Sequence, residues 1–387
     1  MSLSIITFAN LGEKTNHRTA GIVPVINKFS EEGELKQVVC QINKNSQFPG
    51  TVSATPTLLR YIVRVFEKVF GISLRRVHQT LLDFFASIKL TDADVHLFHA
   101  GESFTRTLRK SKKSRAISVG IATISDLQKN KDIENKEMRL LGIEDYITDA
   151  ESALRRCPEY RSFDYIIAYS DFVKASYIAK GFPRDKIYVA YSDIPLPPTP
   201  SFQKSEDTFK VLYVAYTSPR KGLHYLLEAW NKLTLPNLEL IVVGGYGRMP
   251  DELKERCKKI IKNNPSIRWA GKSKNPSSYY QEASVFAFPS LFEGNPKVVM
   301  EAMSYGVPVI TTNHAQSIVE DGKSGFVVPI RDVEAFAEKI RFYYENRNVA
   351  ECMGREGRKA MENKKSFGDM VFEIYQKILA REGKNND

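Results

Sequence analysis

Two glutamates, Glu293 and Glu301, stand eight positions apart in the segment Ser290-Leu-Phe-Glu293-Gly294-Asn295-Pro296-Lys297-Val298-Val-Met-Glu301-Ala-Met-Ser-Tyr-Gly306. The turn chemistry predicts a strand-to-helix junction. Asn295 suits an N-cap, Pro296 the first helical position, and Lys297 to Tyr305 carries apolar residues at helical spacing until Gly306 stops it. A helix starting there aims backbone N–H groups and the positive end of its dipole at whatever lies above the sheet, and phosphate is the usual occupant. Glu293 then sits beside that ligand, and Glu301 more than one turn into the helix. The bland alternative is an exposed helix with unrelated acids.

A cation suited to the same ligand occurs earlier, in Val214-Ala215-Tyr216-Thr-Ser-Pro219-Arg220-Lys221-Gly222, a turn between an apolar strand and an amphipathic helix. Lys221 at the carboxyl end of a sheet can reach a diphosphate. Gly244 and Gly245 follow another strand and allow close backbone approach, and Gly271-Lys272 ends a third. Both segments read equally well as tight turns.

Positioning these residues requires sheets covered by helices. Short apolar, β-branched runs alternate with helical patterns along the whole chain, which predicts parallel α/β architecture. Strands are expected at 4–9, 37–42, 95–99, 116–121 and 164–169, then at 209–215, 238–243, 267–270, 285–288 and 307–311. Four prolines (Pro195, Pro197, Pro198, Pro200) and a polar tail separate the two sets. The expected organisation is a first Rossmann-like domain over 1–192, a linker over 193–207, a second Rossmann-like domain over 208–365, and a last helix over 366–387. With 387 residues the chain exceeds what one core usually serves.

The composition is that of a globular protein, 42% hydrophobic and 26% charged. Cys40, Cys157, Cys257 and Cys352 lack any metal-ligand spacing and read as reduced thiols of a cytoplasmic protein. No apolar run approaches the roughly 18 residues of a membrane span, and the N-terminus enters a strand without a signal-peptide pattern.

The net charge of +11 is concentrated. Residues 51–115 hold twelve Lys/Arg against five Asp/Glu. Arg60, Arg64 and Lys68 form a stripe on a helix with apolar Leu58, Leu59, Ile62, Val63, Phe66, Val69 and Phe70, and the stretch Arg106 to Arg115 has no acid. This favours an anionic membrane surface or phosphate-bearing acceptor over nucleic acid, for which no motif is present. The alternative is a core helix with a solvated basic edge.

The Glu293 segment, with its continuation Glu301-Ala-Met-Ser-Tyr-Gly306-Val-Pro308-Val, resembles the E-x7-E motif of retaining glycosyltransferases of the GT-B fold, glycosyltransferase family 4 (group 1). The resemblance is specific over the second domain and loose over the first. It implies two Rossmann-like domains facing across a cleft, with the C-terminal helix crossing back to the first domain. It implies sugar transfer from a nucleotide-sugar donor to a saccharide or lipid-linked acceptor hydroxyl with retention, in surface polysaccharide or glycolipid assembly, without cofactor or essential metal. The enzyme would be cytoplasmic and peripheral at the inner face of the membrane.

In that reading Glu293 faces the donor sugar and Lys221 neutralises the leaving diphosphate. Glu301 bonds the ribose, while Gly294 to Val298, Gly244, Gly245, Gly271 and Lys272 line the donor site. Where the family commonly carries an arginine five residues before the lysine, the second of two cations on the diphosphate, this chain has Tyr216, and Arg220 is the candidate replacement. Gly12, His17 and Asp126 would lie on the acceptor or sugar side. The departure at Tyr216 motivates the rival expectation of a catalytically silent relative serving as a binding or scaffolding subunit.

Overall fold

The computed structural model describes residues 1–7, 10–11, 19–43, 48, 50–70, 75–99, 104–144, 146, 162–198 and 207–384. The chain forms two compact units, one of Met1–Asp126, Ser152–Asp193 and Lys365–Asp387, the other of Leu127–Glu151 and Ile194–Lys364.

The first unit is built on the strands Leu3–Thr7 (β1), Asn10–Leu11 (β2), Leu35–Cys40 (β3), Ile42–Asn43 (β4), Thr51–Ser53 (β5), Val95–His99 (β6), Ile117–Ala122 (β7), Tyr165–Ala168 (β8) and Ile187–Val189 (β9). Seven form one sheet in the order β5-β3-β1-β6-β7-β8-β9, parallel throughout, and β2 pairs with β4 separately. Because both faces are covered, every residue of β1, β6 and β7 is buried. Alternate side chains enter different cores: Ile5 lies on one face and Ile6 on the other.

The helices of the first half are Thr19–Glu31 (α1), Thr57–Phe70 (α2), Arg75–Lys89 (α3), Thr105–Lys113 (α4), Leu127–Leu141 (α5) and Asp171–Ile178 (α6). Those that follow are Leu223–Trp230 (α7), Asp251–Asn263 (α8), Ser277–Glu282 (α9), Lys297–Ser304 (α10), Val333–Glu345 (α11), Arg347–Asn363 (α12) and Phe367–Arg381 (α13). The last helix belongs to the first unit. Ser366 caps it by accepting from Asp369 N, and Phe367, Val371, Ile374 and Ile378 enter the core that α1 covers. Gly368 lets the backbones touch, since a Cβ there would stand 2.3 Å from Pro24 O.

The second unit has the strands Phe209–Val214 (β10), Leu238–Val243 (β11), Ile267–Gly271 (β12), Val285–Phe288 (β13), Val309–Thr312 (β14) and Gly325–Val328 (β15), all parallel in the order β12-β11-β10-β13-β14-β15. The chain winds outward from β10 to β12 and then returns to place β13 on the other side of β10. That reversal makes the carboxyl ends of β10 and β13 the switch point of the sheet, where such folds open a ligand crevice.

A continuous first domain over 1–192 does not hold, because α5 belongs to the second unit. Its Glu137 is fully buried and accepts from Tyr225 OH at 2.8 Å and Arg331 Nε at 2.8 Å, with His224 Nε2 at 2.7 Å. Burial pushes this carboxyl up, but the hydrogen bonds and charges of its partners outweigh that and hold it low. Most of the expected linker, 199–206, lies outside the described residues.

Cys40 and Cys257 are buried and pushed up to about 12 by burial, whereas Cys352 is exposed. Cys157 lies outside the described residues. No helix among the described residues is long and apolar enough to cross a membrane.

Candidate active site of the second unit

Glu293 follows β13, and the turn carrying Arg220 and Lys221 follows β10, so the two loops meet at the switch point. The residues Pro219–Lys221 form one 3-10 turn that ends at Gly222 with φ 70°, ψ 16°, the left-handed region. Only glycine fits: a Cβ at Gly222 would stand 2.0 Å from Pro289 O. Hydrogen bonds then zip the loops together. Arg220 O accepts from Leu291 N at 2.8 Å and Ser290 Oγ at 3.1 Å, while the Arg220 guanidinium donates to Phe292 O at 3.0 Å.

On its other side the Glu293 loop is held by the end of β14. Thr312 Oγ1 donates to Ser290 O, Glu293 N donates to His314 O at 2.9 Å, and His314 Nδ1 lies 3.0 Å from Leu291 O. Backbone bonds thus fix the Glu293 side chain from both flanks.

The outcome is a three-way clamp. Glu293 Oε1 takes the Lys221 ammonium at 2.5 Å, the Arg220 guanidinium at 2.7 Å and the Ser290 hydroxyl at 2.8 Å. The carboxylate is 11% exposed, Lys221 18% and Arg220 22%. Burial raises the Glu293 carboxyl, but the two cations outweigh it and hold the group down at about 2. Among the described residues two positive charges face one negative here, an arrangement suited to an anionic ligand.

The second carboxylate has a different environment. Glu301 Oε2 accepts from Tyr280 OH at 2.9 Å, and the Tyr280 ring stacks on Tyr305 with centroids 5.5 Å apart. Tyr280 OH also lies 3.4 Å from Val298 O. Gly306 ends the helix with φ 66°. The N-cap expectation is corrected. Pro296 occupies the cap position with φ −70° and ψ 104°, and no side chain caps the helix. Asn295 is engaged elsewhere, accepting from Ser317 Oγ and directing Nδ2 to Met300 Sδ at 3.8 Å. Gly294, Lys297 and Val298 are partly exposed beside this helix start.

A second cluster lies on the β11 and β12 side. Gly244 N donates to Gly271 O at 2.8 Å, and a Cβ at Gly244, whose φ is 144°, would meet Ala215 O at 1.7 Å. Lys272 packs its stem against Gly245 and sets its ammonium 5.2 Å from the centroid of the Tyr216 ring, which is 60% exposed. Tyr246 and Trp269 stack at 4.5 Å and 12°. Tyr216, Gly244, Gly245, Gly271 and Lys272 are therefore brought together, with Lys272 as a cation beside Tyr216.

In the first unit Asp126 follows β7. Its backbone N donates to Ser176 Oγ at 2.8 Å and its carboxylate lies 3.9 Å from Lys180 Nζ. Gly12 and His17 lie outside the described residues. Ser290, His314 and Tyr280 were not anticipated. The one signal for Ser290 and His314 was their place at the ends of apolar runs. Among the described residues no three His, Cys, Asp or Glu side chains converge as a metal site requires.

Comparison with known proteins bears on this unit most directly. Residues 199–360 match the family model described as glycosyl transferases group 1. Over 162 residues the chain is 34% identical to the capsular polysaccharide biosynthesis glycosyltransferase CapM of Staphylococcus aureus, covering 41% of this chain and 42% of that protein. Over 263 residues it is 27% identical to the putative colanic acid biosynthesis glycosyltransferase WcaL of Escherichia coli K12, covering 64% and 61%. The matches thus span about half the length of these curated relatives.

Two solved structures share the fold over nearly the whole chain. Anabaena HepE in complex with UDP-glucose has a TM-score of 0.63 at 14% identity, covering 97% of this chain and 99% of its own. The apo lipopolysaccharide outer core galactosyltransferase WaaB has a TM-score of 0.65 at 15% identity, covering 97% and 100%. The chain thus shares the GT-B fold of these solved structures, and the stretch that matches the group 1 model is the one that holds Glu293, Arg220 and Lys221.

Proposed function

We propose that the protein is a cytoplasmic retaining glycosyltransferase that moves a sugar from a nucleotide-sugar donor to an acceptor hydroxyl in surface polysaccharide or glycolipid assembly. The observation that carries this reading is the convergence of Arg220 and Lys221 on Glu293 at the switch point of the second unit. Relatives named for capsular and colanic acid biosynthesis, and a structural neighbour holding UDP-glucose, support it.

The chemistry follows from charge. As the glycosidic bond to the diphosphate breaks, negative charge collects on the leaving group and positive charge on the anomeric carbon. Arg220 and Lys221, with the dipole of α10, stabilise the first, and the Glu293 carboxylate stabilises the second. Because Glu293 stays ionised down to about pH 2, it acts as a charge rather than as a proton donor. An activated phosphate leaving group needs little protonation, so that division is sufficient. Glu301 and Tyr280 take the ribose hydroxyls, and the cluster of Tyr216 and Lys272 borders the nucleotide.

Purified protein, titrated with UDP, GDP and ADP sugars, provides the test. Lys221→Ala, Arg220→Ala and Glu301→Ala should each lose about 2 kcal/mol in donor binding or transfer, roughly thirtyfold, with the fold intact. The anomeric configuration of the product, read by proton NMR, should match that of the donor. Wild-type transfer by folded Lys221→Ala and Glu301→Ala would refute the assignment. A wild-type protein that binds the donor yet never transfers or hydrolyses it would mark the silent, scaffolding relative instead.

A further inference from the structure

The connection that leaves β14, residues 313–319, is fixed to the core at two points. Ala315 and Val319 are each 1% exposed, Thr311 Oγ1 donates to Ala315 O at 3.1 Å, and Ala315 N donates to Thr312 O at 2.9 Å. Only four positions separate these anchors, so the chain turns back between them. Val319 N donates to Gln316 O at 3.1 Å and closes a tight turn with Ser317 and Ile318 at its centre. Gln316 Nε2 braces it by donating to Val319 O at 2.8 Å.

Ser317 has φ 55°, and Ile318 does not share the positive sign. A turn with positive φ at its first central position alone is filled best by glycine. This chain holds a serine there, in the left-handed region that side chains disfavour. The atom that glycine would lack is the one in use: Ser317 Oγ donates to Asn295 Oδ1, in buried surroundings where water competes little. That bond sets which way the Asn295 amide faces, and Asn295 Nδ2 is directed in turn to Met300 Sδ of α10 at 3.8 Å.

His314 grips the same loop from its other end. Its Nδ1 stands 3.0 Å from Leu291 O, and because a carbonyl only accepts, Nδ1 carries the proton and donates. The backbone O of His314 accepts from Glu293 N at 2.9 Å. The connection therefore holds the Glu293 loop before the carboxylate, at it and after it, through Leu291, Glu293 and Asn295.

We propose that Ser317 and His314 are positioning residues for sugar transfer, acting through Asn295 and the Glu293 loop so that the carboxylate faces the anomeric carbon before its bond to the diphosphate breaks. The inference rests on the transfer reading given above. Its ground is the serine at a glycine position: glycine would close the same turn without strain, so what the serine adds is its bond to Asn295. Arg220 and Lys221 remain to hold the diphosphate when either side-chain bond is lost. Donor binding then persists, and the step that develops charge at the anomeric carbon slows.

Turnover of UDP-glucose, GDP-mannose and ADP-glucose by the full chain, followed as release of the nucleoside diphosphate, provides the test. Ser317→Gly removes the hydroxyl and relaxes the backbone. Its thermal midpoint should equal or exceed that of wild type, while kcat falls about tenfold and KM for the donor stays within about twofold. His314→Ala should lower kcat to a similar degree, and His314→Asn, whose amide can donate to Leu291 O, should recover it to within about threefold of wild type. In a Glu293→Gln background Ser317→Gly should change the residual turnover by less than about twofold, because the group it aims is gone. A residue that serves the fold alone would lower the thermal midpoint and act alike in both backgrounds. Wild-type kcat in Ser317→Gly, a kcat loss that comes with a lower thermal midpoint, or an undiminished effect in the Glu293→Gln background would overturn the proposal. Failure of His314→Asn to recover what His314→Ala loses would overturn the assignment of His314. A wild type that turns over none of the three sugars would refute the transfer reading and this inference with it, whereas an active wild type matched by Ser317→Gly refutes this inference alone.

Discussion

Each unit reverses its winding once, and the two reversals are furnished in opposite ways. In the second unit the ends of β10 and β13 carry two cations and a carboxylate, all partly open to water. In the first unit the ends of β1 and β6 meet at Thr7 Oγ1 and His99 Nδ1, 3.1 Å apart, with Tyr169 OH 3.5 Å from His99 Nε2. These three groups, the ones described there, carry no charge. Burial alone presses His99 down to about 4, and burial with the negative charge of Asp193 raises the Tyr169 hydroxyl. The same topology can therefore be used to collect charge for a ligand or to seal strands together. What decides between them is whether opposite charges arrive in pairs, because an isolated charge there would not be tolerated.

The largest expected effect attacks the contact that assembles the charged switch point. Gly222→Ala places a Cβ 2.0 Å from Pro289 O at φ 70°, so the 3-10 turn and the Glu293 loop cannot both keep their positions. We expect a loss of at least about 4 kcal/mol in urea unfolding, or no folded second unit at all. A Gly222→Ala variant that melts like wild type would show that the two loops are not locked, and the clamp would lose its structural basis.

Acid titration separates the two switch points. His99 has a folded value near 4 against an ordinary 6.5, so the unfolded chain binds the extra proton first, and stability falls as pH drops from about 6.5 to about 4. Glu293 is held at about 2 against an ordinary 4.5, so its contribution is complete above about 4.5 and disappears as pH falls toward 2. Buried His96 adds to the first window, and His314 in the second unit shifts in the same direction. Unfolding free energy measured against pH should flatten between 6.5 and 4 in His99→Gln and between 4.5 and 2 in Glu293→Gln. Each change is about 2 to 3 kcal/mol over its window. Should His99→Gln leave the upper window untouched, the neutral account of the first switch point is wrong.

How much of this the sequence disclosed depends on the range of the interactions concerned. Strands Val95–His99, Leu238–Val243 and Val285–Phe288 match their expected limits because a buried apolar run is its own signal. The strands Thr51–Ser53 and Gly325–Val328 escaped, being short and only partly buried. Glu293, Lys221 and Glu301 were legible from local spacing. The convergence of Arg220 was not, because neighbours on a turn often point apart and only a 3-10 turn locked to Pro289 aims both at one oxygen. The allegiance of α5 was equally hidden, since the partners of Glu137 lie 87, 88 and 194 positions away. For α2 the periodicity was legible, but periodicity does not say which side of a helix meets water, and here Leu58, Phe66 and Val69 do.

The smallest expected effect concerns Tyr216, which borders the second cluster of the charged unit. The exposed ring rests against Gly247, whose Cβ position lies 2.8 Å from Tyr216 Cδ1, and it carries the Lys272 ammonium on its face. If Arg220 and Lys272 already provide the cations that the site needs beside Lys221, Tyr216→Arg adds a charge without use. Stability should then change by less than about 0.5 kcal/mol and transfer by less than about threefold, in either direction. A tenfold gain would show that the two-cation clamp is incomplete without an arginine here. A tenfold loss with the fold intact would show that the aromatic face itself holds the donor. Either result would redraw the division between the Glu293 clamp and the Tyr216 cluster, and Lys272→Ala in the Tyr216→Arg background would tell which of the two lysines, Lys221 or Lys272, the added charge replaces.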